Sequence, residues 1–155
     1  MEIERKFLIR SLPEDVLNGC EYADIEQSYL DFGEGDEPER RIRKLTKNDS
    51  VEYLYTEKGT GELCREEDEY EISEYSYNRL KELVISSTIE KRRYYILSAD
   101  LTVEVDVYGG SLKGLNVAEV EFSSVEESED FTPLEWFGEE ITYDKTYRNK
   151  NLAKK

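Results

Sequence analysis

Residues 2–10 read Glu2-Ile3-Glu4-Arg5-Lys6-Phe7-Leu8-Ile9-Arg10. Successive side chains of a β-strand point to opposite faces. Extended, this stretch places Glu2, Glu4 and Lys6 on one face and Ile3, Phe7 and Ile9 on the other. The same division recurs along the chain. Glu104 and Asp106 oppose Val103, Val105 and Val107, and Glu119 and Glu121 oppose Val120 and Phe122. Arg41 and Arg43 share a face opposite Ile42, and Arg65, Glu67 and Glu69 share another. Lys91 and Arg93 also share one, on which Ile89 and Tyr95 intrude.

This period-2 pattern predicts strands at 2–10, 25–32, 39–46, 51–58, 63–72, 89–97, 101–108 and 115–123. Turn residues separate them, among them Gly33-Glu34-Gly35-Asp36, Lys47-Asn48-Asp49-Ser50, Gly59-Thr60-Gly61 and Tyr108-Gly109-Gly110. Helix signals are few. Helical spacing at Leu80, Leu83 and Val84 predicts a covering helix over 76–85, with those three as core contacts. Short helices are expected at 13–17 and 133–137, the second laying Trp136 and Phe137 against the outside. The basic tail 148–155 reads as a frayed helix with a disordered end at Lys154 and Lys155. The acidic run 126–130 reads as a solvated loop.

The expected fold is mainly β: an eight-stranded antiparallel closed barrel in one domain, 1–155, with a few helices outside. An antiparallel sheet with one wet face is the ordinary alternative. Solvated faces usually mix Ser, Thr, Lys and Gln, whereas these carry paired carboxylates on three strands and paired cations on two others. Eight strands suit closure, and apolar faces turned outward beneath helices would leave the charged faces lining the interior.

Composition narrows the chemistry. The 155 residues carry 37 Asp and Glu against 21 Lys and Arg, a net charge of −16, and no His. Long nucleic acid and anionic membrane are poor partners for that charge. The acidic N-terminus begins a strand at once and reads as no signal peptide. No apolar run approaches the ~20 residues of a membrane helix. A cytoplasmic location is expected. Cys20 and Cys64 fit neither a disulfide framework nor a zinc site and read as bystander thiols. A His-based nucleophile or base is excluded. Rows of Lys and Arg suit a string of phosphates, Arg by forked contacts and Lys as a point charge. Clustered Glu and Asp without His or Cys suit a hard cation such as Mg²⁺ or Mn²⁺. A polyphosphate and a divalent metal in one lumen is the economical reading.

The ordered motifs resemble the CYTH domain of the triphosphate tunnel metalloenzymes. Glu2-Ile3-Glu4-Arg5-Lys6 matches that family's ExExK opening. Gln27-Ser28-Tyr29-Leu30, Arg41-Ile42-Arg43, Tyr55-Thr56-Glu57-Lys58-Gly59 and Arg65-Glu66-Glu67-Asp68-Glu69 follow in order. Lys91-Arg92-Arg93, Val103-Glu104-Val105-Asp106, Gly114-Leu115 and Ala118-Glu119-Val120-Glu121-Phe122 complete the set. The resemblance implies a metal-dependent hydrolase of triphosphate compounds, with tripolyphosphate first and nucleoside triphosphates next. It implies Glu2, Glu4, Glu119 and Glu121 as metal-site and catalytic carboxylates, with Lys6 joining the catalytic set. Lys6, Arg41, Arg43, Lys58, Arg65, Lys91, Arg93 and Lys145 are the implied substrate contacts, and Glu67, Glu69, Glu104 and Asp106 a further acidic wall. These eight acids and eight bases sum to zero. A class IV-type adenylate cyclase, a thiamine triphosphatase and a non-catalytic polyphosphate-binding module are the alternatives, and a homodimer is an open possibility. The family's late Tyr-Ser-Asn stands here as Tyr147-Arg148-Asn149.

Overall fold

A computed structural model describes residues 1–61 and 63–154. Nine strands form one antiparallel sheet: β1 (Glu2–Leu8), β2 (Glu21–Phe32), β3 (Glu39–Lys47), β4 (Ser50–Lys58), β5 (Cys64–Arg65), β6 (Glu67–Ile72), β7 (Ile89–Ser98), β8 (Leu101–Tyr108) and β9 (Asn116–Phe122). Their spatial order is β5-β1-β9-β8-β7-β2-β3-β4-β6. The two outermost strands, β5 and β6, are separated in sequence only by Glu66, so the sheet curls into a nearly closed barrel. The expected strand 63–72 is thereby corrected to two. Its first part pairs β1, with Glu2 opposite Arg65. Its second pairs β4, with Lys58 opposite Glu67. Below β5 the seam is filled by a later segment. Leu8 N–H donates to Glu139 O at 2.8 Å, and Ile141 N–H to Lys6 O at 2.8 Å.

The apolar faces point outward, as expected. Ile3, Ile96, Val103, Val105, Val120 and Phe122 form one core outside the barrel. It is covered by α1 (Glu14–Leu17), α3 (Val125–Asp130) and the aromatic segment around Phe131, Trp136 and Phe137. Residues 125–130 are a helix and not a loop: Ser124 caps it by accepting from Glu127 N–H at 3.1 Å, and Ser123 donates to the Glu127 carboxylate at 3.0 Å. Residues 133–137 hold Trp136 edge-on to Phe137 at 4.8 Å, as a turn and not a helix. The tail forms α4 (Asn149–Leu152), whose Leu152 and Ala153 are buried against Tyr29, Ile89, Tyr108 and Val117. It plugs one end of the barrel and is not frayed. Lys154 lies over the Phe32 ring at 4.9 Å, so that residue is placed rather than disordered. Lys155 is outside the described residues. Helix α2 (Glu74–Lys81) begins at Ser73 and buries Tyr77 against Tyr53, ring centroids 4.9 Å apart. Leu83 lies beyond its end and stays 66% exposed, contrary to the expected core contact. No helix among the described residues is long and apolar enough to cross a membrane.

Candidate active site

Register brings the charged faces together. Glu4 lies opposite Glu121 and Lys6 opposite Glu119 on β1 and β9. Arg93 lies opposite Asp106 on β7 and β8, and Glu104 opposite Glu119 on β8 and β9. Within the barrel they line a cavity of about 230 Å³. Thirteen of the sixteen sequence-predicted residues are on its wall: Glu2, Glu4, Lys6, Arg41, Arg43, Lys58, Arg65, Glu67, Glu69, Arg93, Glu104, Glu119 and Glu121.

Three are not. Lys91 and Asp106 lie on the same inner faces but are buried outside the cavity lining, paired at 3.0 Å, and Asp106 accepts both arms of the Arg93 fork at 2.8 and 2.9 Å. They brace Arg93. Lys145 is exposed on a single helical turn at 145–147 outside the cavity. Four further residues line the wall: Tyr29, Glu39, Arg148 and Asn149. Arg148 supplies the cation expected from Lys145. It donates to Gly61 O at 3.1 Å, while Asn149 Oδ1 accepts from the Tyr108 hydroxyl at 2.5 Å. Gly61 has φ +135° and a side chain there would collide with the Cys64 carbonyl, so the turn presenting that oxygen requires glycine. The late Tyr147-Arg148-Asn149 was the available signal for this corner. Glu39 shares a face with Arg41 and Arg43, so alternation could have found it.

The wall now counts seven cations against eight acids, 7 − 8 = −1. Its charges are unevenly satisfied. Glu119 meets Arg93 at 3.2 Å and Lys6 at 3.7 Å. Glu69 meets Arg43 at 2.6 Å, and Arg65 meets Glu39 at 3.1 Å. Lys58 reaches Glu2 at 2.7 Å and Glu67 at 3.7 Å. Glu4, Glu121 and Arg41 have no ion pair among the described residues, and the Nε atoms of Arg41 and Arg43 are buried without a partner. Burial, reinforced by Glu119, pushes the Glu4 carboxyl up to about 7. Burial and the neighbouring Glu2 and Glu119 also raise Glu121. Burial and a shared hydrogen bond with Glu2 lift Glu67 to about 8. Burial also opposes ionisation of Glu2, but the bonds from Glu67 and Lys58 hold it near 2. Burial acts against Glu119 too, and there Lys6, Arg93, Lys91 and Lys58 outweigh it and keep it ionised. Crowded carboxylates retain protons where burial and like charge outweigh the nearby cations.

The chain is 38% identical over 153 residues to an inorganic triphosphatase of Nitrosomonas europaea, spanning 98% of this chain and 96% of that protein. It is 35% identical over 160 residues to an inorganic triphosphatase of Acetivibrio thermocellus, spanning 99% and 93%. The solved structure of the inorganic triphosphatase NE1496 superposes with a TM-score of 0.70 at 35% identity, covering 100% of this chain and 95% of that one. The chain belongs to the triphosphate tunnel metalloenzymes. No family model matches it.

As a triphosphate tunnel protein, this chain shows what its own donors suit. The wall offers only hard oxygen donors to a cation, and its two unpaired carboxylates, Glu4 and Glu121, face each other across the β1–β9 ladder. That set fits a hard divalent ion. No group of three or more ligating side chains is preassembled among the described residues; Glu2, held by Lys58 at 2.7 Å, is a further carboxylate on the same face of β1 as Glu4.

Proposed function

We propose that the cavity binds a linear triphosphate and hydrolyses its terminal phosphoanhydride, with inorganic tripolyphosphate as substrate and Mg²⁺ or Mn²⁺ as cofactor. The observation that carries this reading is the seven-cation wall around one cavity inside the barrel, with buried guanidinium Nε donors of Arg41 and Arg43 left unpartnered. Unmade donors of that kind are costly unless a ligand accepts from them. The names of the relatives agree with it. The cavity volume, about 230 Å³, is the liquid share of roughly eight waters at ~30 Å³ each. That is room for three phosphates, while the sugar and base of a nucleotide would stay outside.

Arg41, Arg43 and Arg65 fork onto phosphate oxygens, Arg93 turns the one Nη1 donor that Asp106, Glu104 and Glu119 leave it toward them, and Lys6 and Lys58 add point charges. Arg148 grips from the plugged end. Lys91 contributes from behind, through Asp106. Glu2, Glu4 and Glu121 would hold the cation, which supplies charge neutralisation at the phosphate oxygens and a more acidic bound water. Glu119, fixed by Lys6 and Arg93, accepts a hydrogen bond from the attacking water. The water oxygen bonds to the terminal phosphorus, its proton passes to a wall carboxylate, and the bridging P–O bond breaks to release orthophosphate and pyrophosphate. Positioning and charge stabilisation do most of the work in such a reaction. A cytoplasmic location and a homodimer belong to this proposal as well; fractionation and sedimentation test them.

The decisive experiment is a phosphate-release screen over tripolyphosphate, ATP and thiamine triphosphate with Mg²⁺, Mn²⁺ or EDTA. Tripolyphosphate is expected to turn over fastest, and only with metal. Cyclic AMP from ATP would replace this reading with a cyclase. Tight tripolyphosphate binding without turnover would replace it with a binding module.

A further inference from the structure

Of the described residues on the cavity wall, all but Tyr29 and Asn149 carry a formal charge. Asn149 opens α4, and that helix is fastened in place. Ala153 O accepts from Ser87 N–H at 3.0 Å and from the Ser87 hydroxyl at 2.9 Å, and Asn151 Nδ2 donates to Lys145 O at 2.6 Å. The Asn149 amide is fixed as well, because its Oδ1 accepts from the Tyr108 hydroxyl at 2.5 Å. An O–H donor reaches that length, whereas N–H donors stop at about 2.7 Å. The amide oxygen, and not its nitrogen, therefore faces Tyr108. Tyr108 is buried on the inner face of β8, with Lys91 Nζ 5.5 Å from its ring centre. Burial, reinforced by Asp106 and Glu119, holds its hydroxyl proton well above the ordinary phenol range, so it stays a donor. Asn149 Nδ2 donates to no group among the described residues. With Oδ1 engaged, the group that Asn149 offers the cavity is this NH₂.

We propose that Asn149 is a further substrate-binding residue, its Nδ2 donating to non-bridging oxygens of the phosphate at the plugged end, and that Tyr108 is the positioning residue that turns this donor inward. The inference rests on the triphosphate reading of the cavity. An amide carries donors on one side and only acceptor lone pairs on the other. Turned one way it binds a phosphate oxygen; turned the other way it repels one. Tyr108 decides which way, because its hydroxyl satisfies the oxygen before substrate arrives, and a donor held in place beforehand costs little to engage. The contact adds no charge to a corner where Arg148 already supplies one.

The test is steady-state hydrolysis of tripolyphosphate with Mg²⁺, read separately as KM and kcat. Asn149→Ala should raise KM about three- to tenfold, the scale of one or two neutral hydrogen bonds, with kcat within about twofold of wild type. Tyr108→Phe frees the amide to turn and should raise KM by a similar factor or less. The double variant should match Asn149→Ala alone, because Tyr108 then has no amide to aim. Asn149→Asp keeps the size and the bond from Tyr108 but faces phosphate with an acceptor, so it should raise KM well beyond the alanine variant. Unchanged KM in Asn149→Ala overturns the proposal, as does an aspartate variant no worse than alanine. A Tyr108→Phe effect that persists in the Asn149→Ala background would make Tyr108 a structural prop and also overturn it. Should Tyr108→Phe fail to fold by circular dichroism, the aspartate–alanine comparison decides. Wild type that neither binds nor hydrolyses tripolyphosphate would remove the triphosphate reading, and this inference with it; normal turnover with an indifferent Asn149 would remove this inference alone.

Discussion

Two corners of the charged cavity are built from the same residue types and are satisfied in opposite ways. On the β7–β8 side, Arg93 forks onto Asp106, meets Glu104 and Glu119 at 3.2 Å, and has Lys91 behind it. Burial opposes charge on Asp106, yet Arg93 and Lys91 hold its carboxyl below the ordinary range. On the β1–β9 side, Glu4 and Glu121 face each other without a cation, and burial with like charge raises both. The first corner is internally neutralised and acts as a frame. The second is left short of positive charge and is where an external cation gains most. A charged lumen therefore contains a part braced by its own ion pairs and a part left open to an added cation.

Mutations at the two corners should separate stability from activity. The largest effect is expected from Asp106→Ala, which strands Lys91 as a buried cation without an ion pair and takes the fork partner from Arg93. Removing one partner of such a buried pair costs about 3–5 kcal/mol. Urea denaturation reads it, and a loss under 1 kcal/mol would erase the distinction between frame and site. Next is Glu4→Gln, which should lower kcat on tripolyphosphate by about 10²–10³-fold, the scale of losing one preorganised electrostatic group, while leaving the melting temperature intact or higher. Full activity in that variant breaks the comparison from the other side.

The pH dependence sharpens it. Folded Glu4 keeps its proton to about 7, against 4.5 when unfolded. A carboxyl raised in this way costs the folded state stability as pH climbs from 4.5 to 7, because only the unfolded chain ionises freely. In EDTA, wild type and Glu4→Gln should melt together below pH 4.5 and diverge above it. By pH 7.5 the variant should be more stable by on the order of 1–3 kcal/mol, and Mg²⁺ should narrow the gap. Coincident melting curves across that range would remove Glu4 as an uncompensated charge. The smallest effect is expected from Arg148→Ala. Its one bond, to Gly61 O, leaves donors free for substrate, so KM should rise up to about tenfold, the scale of one charged hydrogen bond, with kcat little changed. A fall in kcat alone would move Arg148 from binding to chemistry.

Much of the tunnel was legible because its design is local. Glu2, Glu4 and Lys6 share a face for the same reason that Ile3 and Phe7 share the other, the two-residue pleat of one strand. Arg41 with Arg43, and Glu119 with Glu121, follow from the same rule. Residues outside that rule were misplaced. The resemblance implied Lys145 as an eighth substrate cation, but a one-turn helix leaves it outside. Leu83 had helical spacing from Leu80, but the helix ends at Lys81, so it stays exposed and not in a core.

Composition and alternation by themselves determined that this chain is a β-protein with charged inner faces, suited to a small polyanion and a hard cation. They also excluded histidine chemistry, because both statements depend only on residue type and position along one strand. Tertiary structure alone decided that the strand at 63–72 breaks at Glu66 to close the barrel. It also decided that α4 plugs one end and brings Arg148 and Asn149 to the wall, and that Asp106 is neutralised while Glu4 is not. Those outcomes depend on register, closure and contacts between segments more than a hundred residues apart, and the two-residue pleat carries no information about any of them.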